Sequence, residues 1–422
     1  MVTNIKVVTG ASYGDEGKGM MTAYFSEAAR KDGRRSLNIL HNGGGQRGHT
    51  VNDRKGHIFG NSRIFWKRHV FHHLGSGSFS GADTYFSEDF ILNPIIFAEE
   101  MNELGSLGNL PVKIYRNKKC RWSTPYDMMI NQIAEDYRGD DRHGSCGAGI
   151  WETILRYDTL PCPELSEFAA LPKKARMDFL DEVREYAKKR LFEIGVKSIP
   201  EKWRENMESR GLAEHFLEDV MFLSRAAKAA VGVPEGYRDV VFEGGQGLLL
   251  SERLMDIYGS DRYLTPSFTG NENPVKIIRE MGGKYEIEGI EVCYVTRSYL
   301  TRHGAGSFPG ECPKEAINPD MADLTNMPND YQGTLRYGRI DLSDLNRRIG
   351  EDFAGYKGLK NVPRIIRSAA VTHLNETMGM LEVTGGTAAV SEIEADRVYM
   401  EWSENLDEII TAGRVPLHPM DM

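Results

Sequence analysis

Long apolar runs are missing from this sequence. Nothing approaches the ~18 consecutive apolar residues of a membrane-crossing helix, which predicts no membrane partner. Cysteine is scarce. The five residues, Cys120, Cys146, Cys162, Cys293 and Cys312, are odd in number and scattered, and no C-x-x-C pair occurs. Such spacing points to neither a disulfide framework nor a zinc site and suits a reducing, cytoplasmic setting. The first residues read directly as a strand rather than a charged-then-apolar leader, so no signal peptide is expected. Positive charge is in deficit as well. Lys and Arg number 52 against 61 Asp and Glu, a net charge of -9, which argues against nucleic acid as a main partner. Low-complexity linkers and internal repeats are also missing, so the chain reads as a single domain over 1–422.

Glycine is plentiful, 44 residues, and it gathers where predicted strands end. The chain is organised around Gly10-Ala-Ser-Tyr-Gly-Asp-Glu-Gly-Lys-Gly19. A short apolar run, Ile5 to Thr9, precedes it as a buried strand, and Met20 to Arg30 follows as a helix. Strand, Gly-rich turn and helix N-terminus form a phosphate cradle, to which Lys18 adds a point charge. The stretch is not a Walker A loop: Ser12 stands where that motif has its first Gly, and Gly19 replaces its magnesium-holding Ser/Thr. The acidic pair Asp15-Glu16 lies inside the cradle instead. A carboxylate beside phosphates makes sense as a metal ligand or a proton acceptor.

Ser36 to Leu40 is a second predicted strand, running into His41-Asn-Gly-Gly-Gly-Gln-Arg-Gly-His-Thr50. Glycines at a strand terminus are where a parallel sheet places ligands. His49 there has the chemistry to give a proton to a departing phosphate oxygen. Val70 to Gly77 and Asp239 to Gly247 are further strand-to-loop transitions, and Phe90 to Leu104 has helical spacing. Strands are also expected at Val112–Tyr115, Ile290–Thr296 and Arg367–Asn375, with Gln332–Asp341 a loop carrying Arg336 and Arg339. Between Leu160 and Val231 the pattern turns helical. Leu180, Val183, Ala187 and Leu191 share one face of a segment from Leu171 to Ile194. Leu217, Val220, Ser224 and Ala227 share a face between Glu214 and Val231. Lys188-Lys189-Arg190 reads as a solvated face. The expected fold is α/β: a large, mostly parallel central sheet flanked by helices, with a helical excursion or subdomain around 160–231.

These motifs, in this order, resemble the adenylosuccinate synthetase family. Gly14-Asp-Glu-Gly-Lys-Gly19 is similar to its N-terminal signature, Gly48-His-Thr50 to its Gly-His-Thr, and His73-Leu-Gly-Ser-Gly77 to its His-Leu-x-x-Ser-Gly. Gly144-Ser-Cys-Gly-Ala-Gly-Ile150 resembles its Gly-Thr-Thr-Gly-x-Gly loop. Phe242 to Gly247, Tyr263-Leu-Thr265 and Thr301 to Glu311 resemble later ligand loops. The resemblance implies a magnesium-dependent carbon–nitrogen ligase acting on a purine nucleoside monophosphate, a nucleoside triphosphate and L-aspartate. By that matching Asp15 takes the N1 proton of a 6-oxopurine, and O6 attacks the γ-phosphate. His49 and Lys18 stabilise the leaving phosphate, and the aspartate amine then displaces phosphate from C6. Gly14, Glu16, Gly17, Gly19, Gly48 and Thr50 would hold donor phosphates, and Asp15 with the Gly48 carbonyl would hold Mg2+. Gln46, Ser145, Cys146, Gln246 and Thr265 would line the acceptor pocket. Thr334, Arg336 and Arg339 would bind aspartate. A homodimer whose pocket borrows an arginine is implied as well, with Arg156 as its candidate.

The departures bear on the substrates. Where the family reads guanine with Thr-Lys-Leu-Asp, this chain has Thr372-His-Leu-Asn375. A carboxylate accepts two hydrogen bonds and suits guanine; an amide both donates and accepts and suits adenine, which points to ATP or dATP as donor. Ser12-Tyr13 replaces Gln-Trp, and Gly45-Gln-Arg47 replaces Asn-Asn-Ala, so the acceptor pocket is rebuilt too. The chain is thus similar to the branch from bacteriophages that carry 2-aminoadenine in DNA, which acts on dGMP, although Asp15 is retained where some of that branch lack it. The expectation is a ligase giving succino-2-aminoadenylate from dGMP or GMP, in a host cytoplasm if phage-encoded. The alternatives are an ordinary synthetase using IMP and GTP, or a silent nucleotide-binding protein; joint retention of Asp15, Lys18 and His49 speaks against the last.

Overall fold

The computed structural model describes residues 2–53, 57–59, 62–64, 67–108, 112–255, 263–321, 333–402 and 409–412. Ten strands form one sheet. They are β1 (Val2–Gly10), β2 (Ser36–Leu40), β3 (Asp83–Phe86), β4 (Ile114–Asn117), β5 (Ala227–Ala230), β6 (Asp239–Gly247), β7 (Glu286–Arg297), β8 (Ile365–Thr372), β9 (Arg397–Glu401) and β10 (Ile409–Ala412). Their order across the sheet is β10-β9-β8-β7-β1-β6-β2-β3-β4-β5. All neighbours run parallel except β10, which pairs antiparallel with β9. The α/β expectation therefore holds.

β1 lies at the centre, with Ile5 opposite both Val240 and Ile290. Parallel strands covered on both faces read as continuous apolar runs, and all five residues of β2 are buried. Val7, Phe242 and Val292 are fully buried, each contributing about 1.5–3 kcal/mol of transfer free energy. Because the strands are parallel, the C-terminal ends of β1, β2, β6, β7 and β8 open on one edge. There the Gly-rich stretches converge.

The helices are α1 (Lys18–Lys31), α2 (Pro94–Leu107), α3 (Pro125–Arg138), α4 (Ile150–Thr159), α5 (Leu165–Ala170), α6 (Lys173–Glu193), α7 (Glu201–Glu208), α8 (Arg210–Ala226), α9 (Glu272–Met281) and α10 (Leu342–Ala354). Local chemistry sets several of their starts. Asn93 caps α2, accepting from the N–H groups of Ile95 and Ile96 at 3.1 and 3.2 Å. That cap starts the helix at Pro94 and leaves Phe90–Leu92 outside it. Thr124 and Asp127 form a capping box on α3.

The helical excursion is α5 to α8, and two of its details differ from the sequence reading. On α6 the buried residues are Leu180, Val183, Ala187 and Leu191, as the spacing predicts. On α8 Phe216 and Leu223 are buried with Leu217 and Val220, while Ser224 is only partly covered. The helix also stops at Ala226: Ala227–Ala230 is β5, the sheet's edge strand beside β4. The excursion shares its core with α2 and α3, through Trp122, Phe97, Phe168 and Phe216.

A buried carboxylate under the sheet gives a stability prediction. Asp352 on α10 accepts from Asn271 N at 2.8 Å and from Tyr294 Oη at 2.6 Å, with no cation bonded to it among the described residues. Burial is the largest influence and pushes its carboxyl up from 3.8 to about 6. A carboxyl raised in the folded state binds more protons folded than unfolded between those values. Stability from this group is therefore full at low pH and is lost as pH climbs through about 6, a penalty of about 3 kcal/mol at neutrality. Asp352→Asn is expected to raise the melting temperature at pH 8 and to lose that advantage near pH 4. Paired thermal melts decide it, and an advantage that does not shrink with acid would refute this account.

Candidate active site

The Gly10–Gly19 turn is held by its own acid. Gly14, Asp15 and Gly17 all have positive φ, 105°, 60° and 94°. Left-handed backbone costs a non-glycine residue roughly 1–2 kcal/mol, so Asp15 is held there by its surroundings. The carboxylate of Glu16 accepts from Ser12 N at 3.0 Å and Gly14 N at 2.8 Å, and receives Lys18 Nζ at 2.6 Å. Burial alone would raise the Glu16 carboxyl, but Lys18 and those N–H groups outweigh it and hold it below the usual range. Glu16 thus folds the loop and neutralises Lys18 at rest. Arg348 from α10 ties down the loop's start, donating to Ala11 O at 2.6 Å and Ser12 Oγ at 3.1 Å. Arg297 at the end of β7 donates to Asp15 O at 2.6 Å, and Thr372 at the end of β8 donates to Glu16 O at 3.0 Å. What remains for the cavity is the Asp15 carboxylate, 26% exposed and 3.7 Å from His303 Nε2.

His49 faces the same cavity. It opens a strand, His49–Asp53, paired antiparallel with Lys67–Phe71. Gly19 allows the approach: a Cβ there would lie 2.6 Å from the Cβ of His49. The ring's Nδ1 is 2.6 Å from Glu243 Oε1, in the middle of β6. Burial would raise the Glu243 carboxyl, yet Arg47, His49 and Ser76 outweigh it and hold it at about 2. An ionised carboxylate only accepts, so Nδ1 carries the hydrogen. Nε2 is buried with no hydrogen-bond partner among the described residues. Burial, the largest influence, lowers the His49 pKa despite Glu243, so the resting ring is neutral and presents a bare Nε2.

Two adjoining cavities result. One, of about 400 Å³, is lined by Asp15, Glu16, Gly17, Lys18, Gly19, Gly48, His49, Thr50, Arg297 and His373, among others. The second, of about 350 Å³, is lined by Ser145, Cys146, Thr265, Arg138, Arg190 and Arg302, among others. Gln46, Gln246, Leu250 and His303 line both. The phosphate loop and the acceptor residues expected from sequence are thus walls of one cleft. Gly14 meets it through Gln246, whose Oε1 would be 3.4 Å from a Cβ at that position. The 144–150 loop is set by Asn131, which donates to Ser145 Oγ at 2.9 Å, and by close contact between Gly144 and Gly304.

Other expected residues lie elsewhere. Arg156, expected to be lent to a partner, is fully buried. It is paired with Asp127 at 2.9 Å and donates to Trp122 O at 2.8 Å, so it has no face to offer a second subunit. Arg336 is not in a loop: Arg336–Gly338 is a short strand. Its guanidinium pairs with Glu311, donates to Gly304 O and Gly306 O at 3.1 and 3.0 Å, and lies outside the cleft lining. Arg339 donates to Ala316 O at 3.1 Å, and Thr334 is exposed. The preceding residues 322–332, including Gln332, fall outside the described set. Asn375 is exposed on a one-turn 3-10 helix, Leu374–Thr377, just beyond the cavity-lining Thr372 and His373.

Sequence reasoning missed Glu243, Arg47, Arg302, His303 and Arg190. Glu243 was legible as the acid inside the Gly cluster ending β6. Arg190 was read as a solvated face, but α6 turns it inward to pair with Glu152 at 2.9 Å. Tyr13, at a rebuilt position, packs edge-on against Phe308 at 5.3 Å with the Arg302 guanidinium 4.7 Å above its ring.

A sequence model of adenylosuccinate synthetase matches residues 7–345. The chain belongs to that family. It is accordingly a carbon–nitrogen ligase. Among curated relatives, the adenylosuccinate synthetase of Halothermothrix orenii is 26% identical, over 98% of this chain and 86% of its own length. That of Acaryochloris marina is 28% identical, over 73% of this chain and 63% of its own length. Two solved structures share the fold. A fully ligated adenylosuccinate synthetase from Plasmodium falciparum aligns with a TM-score of 0.61 at 15% identity, over 97% of this chain and 99% of that one. The succinoaminodeoxyadenylate synthetase of cyanophage S-2L, bound to dGMP and dATP, aligns at 0.53 and 14%, over 97% and 96%.

Magnesium fits the residues present. Asp15 offers a partly exposed carboxylate and Gly48 an exposed backbone in the same cavity. Among the described residues no group of three or more His, Cys, Asp or Glu could hold a metal. That donor set suits an ion that takes one or two protein oxygens and completes its shell with water and phosphate. No helix among the described residues is long and apolar enough to cross a membrane.

Proposed function

We propose that this ligase joins L-aspartate to C6 of dGMP or GMP through a 6-phosphoryl intermediate, with ATP or dATP as phosphate donor, giving succino-2-aminoadenylate. The observation that carries the chemistry is the Asp15 carboxylate and the bare Nε2 of His49 in one cavity that continues into the acceptor pocket. Asp15 takes the N1 proton, leaving O6 able to attack the γ-phosphorus, and the nucleoside diphosphate departs. Charge that builds on the phosphoryl oxygens during transfer favours the protonated ring, which then donates to one of them. Lys18, released in part from Glu16, shares those oxygens. The amine of L-aspartate then attacks C6 and phosphate leaves. When bound at Asp15 and the Gly48 carbonyl, Mg2+ supplies charge neutralisation on the phosphoryl oxygens. Thr334, Arg336 and Arg339, expected for the aspartate, lie outside this cleft and are given no role in the step; a homodimer is expected.

The choice of substrates rests on the amide at Asn375 and on the rebuilt stretches Ser12-Tyr13 and Gly45-Gln-Arg47. The curated relatives, adenylosuccinate synthetases by name, favour the second reading, IMP with GTP. A matrix of IMP, GMP and dGMP against ATP, dATP and GTP, with aspartate and magnesium, separates the two. Turnover of IMP with GTP alone would overturn the proposal.

Asn375 gives the sharper prediction. An amide donates to adenine N1 and accepts from the 6-amino group, whereas guanine offers two donors, N1–H and the 2-amino group, one of which would face the amide NH2. Asn375 is exposed in the free protein, so the penalty arises when a bound base covers it: a polar group left unpaired there costs about 1–3 kcal/mol, one to two decades of selectivity. ATP or dATP is expected to exceed GTP at least about tenfold in kcat/KM, and Asn375→Asp to narrow or reverse that ratio. An unchanged ratio in the variant would remove Asn375 from donor recognition.

A further inference from the structure

Arg47 stands where the family has an alanine, two residues before His49, and it is only 2% exposed. A buried guanidinium is costly to desolvate, and an apolar side chain filling the same space would carry no such penalty. The arginine's contacts say what its charge is for. Nε donates to His72 O at 2.8 Å, one terminal nitrogen donates to Leu74 O, and the other lies 3.0 Å from Glu243 Oε1. The two carbonyls are themselves fixed. Glu100, fully buried on α2, accepts from His72 N at 3.1 Å, from His73 N, and from Leu74 N at 3.3 Å. The His72 ring, through Nδ1, returns a hydrogen bond to the Arg47 carbonyl. Glu243 is held from its other side by Ser76, through the backbone N–H at 3.0 Å and the hydroxyl.

We propose that Arg47 is a positioning residue whose guanidinium braces Glu243 so that the carboxylate holds the His49 ring in one tautomer and orientation, leaving Nε2 for the phosphate cavity. The terminal nitrogen nearest Glu243 also lies 3.4 Å from His49 Nδ1, and Arg47 lines the phosphate cavity, but an Nδ1 that carries the hydrogen cannot accept from it, so its bonded route to the ring runs through Glu243. The proposal rests on the reading that His49 acts on the transferring phosphoryl group. Arginine suits the task because one planar fork spans two backbone carbonyls and a carboxylate, and lysine's single ammonium cannot reach all three.

The test uses the full chain with Arg47→Met, Arg47→Lys, Glu243→Gln and the double variant Arg47→Met/Glu243→Gln, each checked for a cooperative melt. Turnover is followed as phosphate release, and the His49 ring nitrogens are read by 15N NMR without ligands. Arg47→Met is expected to lower kcat at least about tenfold with the donor KM little changed, since the loss belongs to the transition state. Its His49 resonances should show mixed tautomers where the native protein shows one, and Arg47→Lys should recover only part of the loss. The double variant should be no slower than Glu243→Gln alone, because both remove one unit. If Arg47→Met leaves Glu243 unpaired and does not fold, the comparison of Glu243→Gln with the double variant decides. A folded Arg47→Met with native kcat and a single tautomer, or multiplied losses in the double variant, would overturn the proposal. Native protein that shows the single tautomer but turns over no substrate set would instead count against the proposed function and leave the brace standing.

Discussion

Asp15→Ala should abolish turnover in a protein that still folds. The carboxylate is one of few side-chain groups that the phosphate loop leaves open, because Glu16 and Lys18 are bound to each other and to the loop's own N–H groups. Removing it takes away the base for N1 and an oxygen donor for magnesium together. Loss of a positioned base alone typically costs ~10²–10⁴-fold in rate. The turn should survive, since Glu16, Arg297, Arg348 and Thr372 grip the loop without using the Asp15 side chain. Alanine in a left-handed conformation costs roughly 1–2 kcal/mol, so Asp15→Asn, which tolerates that region, is the companion variant. Both are expected to melt cooperatively, to bind nucleoside triphosphate, and to turn over at least ~10²-fold slower. A folded variant with near-native kcat would remove Asp15 from the chemistry.

The sheet was legible because parallel strands buried on both faces leave apolar runs that end in glycine. Ile5 to Thr9, Ser36 to Leu40 and Asp239 to Gly247 all fall on strands. Boundaries were less legible where tertiary contacts override periodicity. Ala227–Ala230 continues a helical pattern, yet the open edge of β4 takes it as a strand. Arg336–Gly338 became a strand because Leu300–Arg302 and Glu311–Cys312 flank it with backbone to pair. Within the site, the glycines and Asp15, Lys18 and His49 could be found by motif alone. Their bracing could not, because it comes from far along the chain: Glu243 reaches His49 across 194 residues, and Arg348 reaches Ala11 across 337. Arg156 misled for the converse reason. Its sequence gives no sign of Asp127, which buries the guanidinium in an internal pair.

His49→Ala should slow phosphoryl transfer far more than it weakens donor binding. The resting ring offers the donor little. Nδ1 is committed to Glu243, and Nε2 is a bare acceptor that finds no partner in the phosphate's own acceptor oxygens. The triphosphate's affinity comes from Lys18, the N-terminus of α1 and the bound cation, all of which the variant keeps. As charge moves onto the leaving oxygens, a protonated Nε2 gains a partner, and that interaction exists only in the transition state. Interactions of this kind appear in kcat, with the ground-state affinity barely altered. A loss of ~10²–10⁴-fold in kcat is expected, with a donor Kd by calorimetry within a few-fold of native. Glu243→Gln should fall between the two proteins, since an amide keeps the packing but no longer fixes the tautomer. If His49→Ala instead binds the triphosphate much more weakly and turns over at the native rate when saturated, the histidine serves the ground state. The clamp by Arg47 and Glu243 would then preorganise binding rather than catalysis.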